Sequence, residues 1–99
     1  MLVIVSFADA GTEDLFNRRD TKAARRACAQ VVQRVAQRKL DQLNAVPSLE
    51  SLRVPPGNRL EALKRDRTGQ HSIRINDQYR VCFRWTEAGP ADVAVTDYH

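Results

Sequence analysis

Apolar residues recur at helical spacing in the first half of the chain and at strand spacing in its last third. Between residues 22 and 44, Ala24, Ala27, Cys28, Val31, Val32, Val35, Leu40 and Leu43 fall on one face of a 3.6-residue period. The spacing predicts one helix over 22–44, capped by Asp20 or Thr21. Its valines are weak helix formers, so tertiary packing has to hold it. Ahead of it, residues 2–7 are β-branched and weakly alternating, which predicts a buried strand. Asp9 or Thr12 then caps a short helix ending near residue 18, with Leu15 and Phe16 turned inward. Residues 45–58 read as a loop anchored by Leu49 and Leu52 and punctuated by Pro55, Pro56 and Gly57.

From residue 59 the period becomes two. Residues 60–63 form a short first strand, and 65–69 turn. In 70–75, His71, Ile73 and Ile75 share one face, with Ser72 and Arg74 on the other. Residues 76–78 make a hairpin connection. Tyr79, Val81, Phe83 and Trp85 share one face of the next strand, with Arg80, Cys82 and Arg84 opposite. A turn over 87–90 leads to a last strand over 92–97, with Val93 and Val95 inward. The order is strand, helix, helix, then four strands joined by short connections. That order predicts an α+β fold with an antiparallel sheet, helices over one face and arginines on the uncovered face.

The 99 residues make one domain with one modest core. No apolar run approaches the ~20 residues of a membrane helix, and the opening residues read as a strand and not as a leader. The chain is therefore placed in the cytosol, away from membranes. Cys28 and Cys82 form no CxxC pair and read as two reduced, buried thiols.

The net charge of +4 conceals an uneven distribution. Residues 18–39 carry eight basic side chains against one acid, and 59–84 carry seven against three. Arginine supplies 13 of the 16 positive charges. A guanidinium is permanently ionised and grips phosphate bidentately, so this bias favours a phosphate-rich partner. A solvated basic surface reads the same by charge alone.

Three groups carry candidate chemistry. Arg74, Arg80 and Arg84, with Lys64 from the neighbouring strand, line the predicted outer sheet face; the alternative is a solvated face ion-paired to Asp92 or Glu61. Asp97, Tyr98 and His99 gather a carboxylate, a phenol and an imidazole at the chain's end, where a frayed polar tail is the alternative. His71 alternates with two isoleucines and reads as a packed core histidine. No GxGxxG, Walker loop, GxSxG or carboxylate cluster is present, so neither a cofactor nor a metal is indicated. Phosphodiester cleavage by such a site suits RNA, whose own 2′-OH is the nucleophile.

The stretch PPGNRLEALKRDRTGQHSIRINDQYRVCFRW over 55–85, the terminal DYH, the opening SF followed by GTEDLFN, and LDQLNA closely resemble the HigB toxins of the RelE/ParE superfamily. The combination spans essentially the whole chain. The resemblance implies an N-terminal strand and two helices packed on a twisted, antiparallel four- to five-stranded sheet. It also implies a ribosome-dependent, metal-independent mRNA endonuclease that arrests growth. Its implied partner is a HigA-like helix-turn-helix antitoxin, with operator DNA bound only through the pair.

By the same resemblance Arg80 binds the scissile phosphate and Lys64 supports it. Asp97, Tyr98 and His99 take acid–base and orienting roles. Glu61 stands where some members place a histidine, which leaves Glu61, Asp97 and His99 as competing general bases. Arg65, where a glycine is common, adds charge to the turn, and Arg65, Arg67, Arg74 and Arg84 are further phosphate ligands. Arg25, Arg26, Arg34 and Arg38, opposite the apolar helix stripe, are candidates for docking on ribosomal RNA, although antitoxin contact or solvation would read the same. The alternatives are a ParE-like inhibitor of DNA gyrase without nuclease activity and a non-toxic RNA-binding module.

Overall fold

Asp9 begins the first helix of the computed structural model, which describes residues 2–97. Its carboxylate accepts the Thr12 backbone N–H at 2.7 Å and starts α1, Ala10–Phe16. Thr21 does the same for Ala24 at the head of α2, Lys22–Ala27, and donates its own hydroxyl to Asp14 of α1 at 2.7 Å. The two helices meet closely at Gly11, where an added Cβ would lie 2.5 Å from the Ala23 carbonyl oxygen.

The single helix expected over 22–44 is broken. Cys28 is extended (φ −155°, ψ 134°), a 3-10 turn follows at Gln30–Val32, and α3 runs Gln33–Leu43. The break is held by partners far along the chain and by a side chain of the next helix. Tyr79 Oη accepts the Ala29 N–H at 3.2 Å, and the Gln33 amide donates to the Cys28 carbonyl at 3.3 Å. Groups orphaned at a helix end are thereby satisfied. Cys28 becomes fully buried and Val31 turns out to solvent, 92% exposed, so the apparent apolar stripe is split in two.

Four strands follow: β1 Glu61–Ala62, β2 Gln70–Arg74, β3 Tyr79–Thr86 and β4 Gly89–Asp97. They lie in sheet order β1-β2-β3-β4, every pair antiparallel. β4 starts at Gly89 and not at 92, because the β3–β4 connection is a tight turn closed by Thr86 Oγ1 bonded to Gly89. The β3–β4 register shifts beyond Cys82, where Asp92 takes a positive φ of 52°.

The strand expected over 2–7 does not form a ladder. It is an extended segment with one antiparallel bridge, Leu2 to Val46, and one parallel bridge, Phe7 to Val93. The Ile4 N–H goes to Asn44 Oδ1 at the end of α3, while those of Val5 and Ala8 go to carbonyls of β4. The segment thus covers the β4 edge and staples it to α3. At Gly89 (φ 132°) a Cβ would sit 2.2 Å from the Val3 carbonyl oxygen, so only glycine fits.

The core lies between the helices and one sheet face. Leu15, Leu40, Leu43, Leu52, Ile73, Val81, Phe83 and Val93 are its largest fully buried side chains. Leu52, with Leu49 packed beside it, anchors the 45–58 loop as expected. No described helix is long and apolar enough to cross a membrane.

Candidate functional site

The outer sheet face is organised around Arg80. The register sets Arg80 directly across from Arg74 on β2 and Thr96 on β4, and sets Ser72 between Glu61 and Cys82. Paired residues share a face, so Glu61, Ser72, Arg74, Arg80, Cys82 and Thr96 all belong to the side away from the core.

Arg80 is held there with little freedom. Its Nε donates to Ser72 Oγ at 2.7 Å, and its Nη2 donates to the Arg59 carbonyl at 2.7 Å. The Glu61 carboxylate lies 3.7 Å from Nε. The Arg80 side chain is only 12% exposed and Ser72 is fully buried. Among the described residues Nη1 takes no partner, so the guanidinium is fixed on one edge and free to bind an anion on the other. Arg59 has a left-handed backbone (φ 46°), following the 3-10 turn Pro56–Asn58. Left-handed backbone disfavours a non-glycine residue, and such strain gathers at functional sites. Ser72 and Arg59 were not singled out by the sequence; only the β2–β3 register and the backbone reveal them.

The other candidates divide. Glu61 joins Arg80, and Arg74 stands beside it, ion-paired to Asp77. Lys64 lies past the end of β1, where Leu63 N–H bonds to the Gln70 carbonyl and Gln70 faces Arg84. Lys64, Arg65 and Arg67 therefore sit toward the Arg84 end of the sheet, four residues of β3 away from Arg80. Arg84 is ion-paired to Asp92 at 2.6 Å. Asp97 faces Tyr79 in the register, so its carboxylate leaves the sheet on the side opposite Arg80 and accepts from Gln78 Nε2 at 3.0 Å. Tyr98 and His99 lie outside the described residues.

The helix break distributes the four arginines expected to dock over two elements. Arg25 and Arg26 are on α2, Arg25 paired to Asp20 at 2.7 Å, while Arg34 and Arg38 are on α3. His71 packs as expected: its ring stacks on Phe83 with centroids 6.2 Å apart, and its Nδ1 is buried without a partner among the described residues. Burial pushes the Cys28 thiol up to about 11, which leaves it protonated and unreactive at neutral pH. Among the described residues no group of three His, Cys, Asp or Glu side chains is placed to hold a metal ion.

These features define a small α+β fold with helices on one sheet face and a tethered, largely buried arginine, Arg80, on the other. The family described as the RelE-like toxin of the type II toxin-antitoxin system HigB matches residues 5–99, and the chain belongs to that family of HigB-like toxins. Toxin HigB-1 of Vibrio cholerae serotype O1 is 48% identical over 50 residues, covering 50% of this chain and 53% of that protein. An uncharacterised protein of Haemophilus influenzae is 40% identical over 52 residues, 52% of each chain. The chain thus matches about half the length of these curated relatives. Among solved structures, the YoeB-YefM complex from Staphylococcus aureus contains a chain of the same fold, with a TM-score of 0.56 and 22% identity over all of this chain and 98% of the other.

Proposed function

We propose that this toxin cleaves messenger RNA on the ribosome and that Arg80 holds the scissile phosphate. The observation that carries this reading is the largely buried guanidinium of Arg80, tethered by Ser72 and Arg59, with Nη1 unpartnered among the described residues. Preorganised charge aimed at developing phosphoryl charge is the largest single catalytic term such a site supplies. The substrate 2′-OH attacks phosphorus, its proton passes to a base, and the bond to the leaving 5′-oxygen breaks as that oxygen is protonated. The products are a 2′,3′-cyclic phosphate and a free 5′-OH.

Glu61 is the base we favour, because it shares the outer face with Arg80 and stands 3.7 Å from it. His99 is assigned as the acid and Tyr98 as the residue that orients the nucleotide. Asp97, on the other side of the sheet, is assigned to positioning the chain's end through Gln78. Lys64, Arg65, Arg67 and Arg84 form a separate basic end of the sheet suited to flanking RNA. Arg25, Arg26, Arg34 and Arg38 are assigned to ribosomal RNA. A helix-turn-helix antitoxin would neutralise the toxin, and only the pair would engage operator DNA.

The test is cleavage of message on programmed ribosomes. Arg80→Ala should lower the single-turnover rate about 10²–10³-fold, and deleting His99 should also slow it. A message with a 2′-deoxy at the cleaved nucleotide should stay intact. Intact message with the unaltered protein, together with blocked DNA supercoiling, would replace this reading with gyrase inhibition.

A further inference from the structure

A second cationic site lies beside Arg80 and is not used by the reaction above. A cleft of about 350 Å³ opens between α3 and the 55–58 turn, lined on its charged side by Arg38, Lys39 and Arg74. Among the described residues no acidic side chain lines it. The Asp77 carboxylate that pairs with Arg74 is fully exposed and outside the cleft, so solvent screens it.

Lys39 is built in and does not merely dangle there. Its Nζ donates to Asn58 Oδ1 at 2.5 Å. Asn58 is fully buried and in turn donates to Gln42 Oε1 and the Leu52 carbonyl, both at 3.1 Å. Burial and then the neighbouring Arg38 and Arg74 charges push the Lys39 ammonium below its ordinary range. An anion in the cleft would relieve that crowding. One turn also serves both cations: Asn58 fixes Lys39 while the next residue, Arg59, gives its carbonyl to Arg80. Arg74 lies directly across from Arg80 in the sheet, which places the two backbones about 5 Å apart.

We propose that this cleft binds the RNA phosphate adjacent to the one held by Arg80, with Lys39 and Arg74 as its ligands. The proposal rests on the RNA-cleaving reading and names a subsite for it. The strand would run across the 55–59 turn, one phosphate on each side, and the common turn would fix the spacing between them. A polymer of phosphates suits two cationic sites joined in this way better than an acidic peptide, whose carboxylates have no comparable fixed repeat.

The experiment is a chemical double-substitution cycle. Ribosomes are programmed with a message blocked by a 2′-deoxy at the cleaved nucleotide, and its neighbouring phosphates are replaced singly by neutral methylphosphonates. Toxin binding is measured for the unaltered protein and for Lys39→Gln with Arg74→Gln, where glutamine at 39 keeps a donor for Asn58. One neutral phosphate should weaken the unaltered protein about tenfold and leave the double variant unaffected. The double variant should also lose about 0.7 from the slope of log affinity against log salt.

Equal sensitivity of both proteins to every methylphosphonate would overturn the subsite, as would unchanged RNA binding with weakened binding of an acidic antitoxin peptide. Cleavage of unblocked message by the unaltered protein is scored in parallel. If it occurs while the cycle shows no coupling, the subsite fails and the RNA-cleaving reading stands. If neither occurs, both fail.

Discussion

Ser72→Ala removes one atom from the support of Arg80 and leaves the sheet intact. Ser72 Oγ accepts from Arg80 Nε at 2.7 Å in a location where the serine is fully buried and the guanidinium is 12% exposed. A hydrogen bond to a charged group contributes about 1.5–3 kcal/mol, more when its loss leaves a buried donor unsatisfied. Part of that is recovered, because the Ser72 carbonyl at 3.4 Å and Glu61 at 3.7 Å stand near the same guanidinium. The net expectation is about 1–2 kcal/mol. Two assays read it: chemical denaturation for stability, and single-turnover cleavage on programmed ribosomes for the position of Arg80. A loss of about 1–2 kcal/mol corresponds to a fivefold to thirtyfold effect, divided between the two readouts. If Ser72→Ala changes neither stability nor rate beyond about 0.5 kcal/mol, the typical scatter of neutral substitutions, then Ser72 does not hold Arg80 and the argument for preorganisation fails.

Three further outcomes are expected. Asn58→Ala should destabilise the fold by about 2–4 kcal/mol, seen as a lower denaturation midpoint, because it leaves Lys39, Gln42 and the Leu52 carbonyl without their shared partner. Gly89→Ala should cost at least about 2 kcal/mol and raise hydrogen exchange at Val5 and Ala8, since its Cβ strikes the Val3 carbonyl. The Cys28 thiol is raised in the fold to about 11 from 9.0, so its contribution to stability is full below pH 9 and disappears as pH rises toward 11. Denaturation measured across that window should show a falling stability that Cys28→Ala flattens.

The last three strands were legible because their side chains alternate cleanly and their connections are short. Arg80 on the uncovered face follows from that period alone. Its partners do not, since Ser72 reaches it only through the β2–β3 register and Arg59 only through a left-handed carbonyl. The break at Cys28 was hidden because its stabilising hydroxyl, Tyr79 Oη, is 50 residues away and the apolar stripe looks continuous without it. The opening segment has strand composition, yet its N–H groups are shared between Asn44 and β4, so no ladder forms. Lys64 and Asp97 sit close to Arg80 in a list of chemical types, but the register separates them: Lys64 to the far end of the sheet, Asp97 to its other side. Lys39 was indistinguishable in the sequence from the other cations of its helix until Asn58 showed it to be anchored.

The measurement that bears most directly on the account is single-turnover cleavage of a defined message on programmed ribosomes by the unaltered protein, Arg80→Ala and Arg80→Lys. Alanine should lower the rate about 10²–10³-fold, and lysine should rescue it only partly, because it restores the charge but not the fixed, forked geometry provided by Ser72 and Arg59. Cleavage at the full rate by Arg80→Ala would contradict the role given to Arg80.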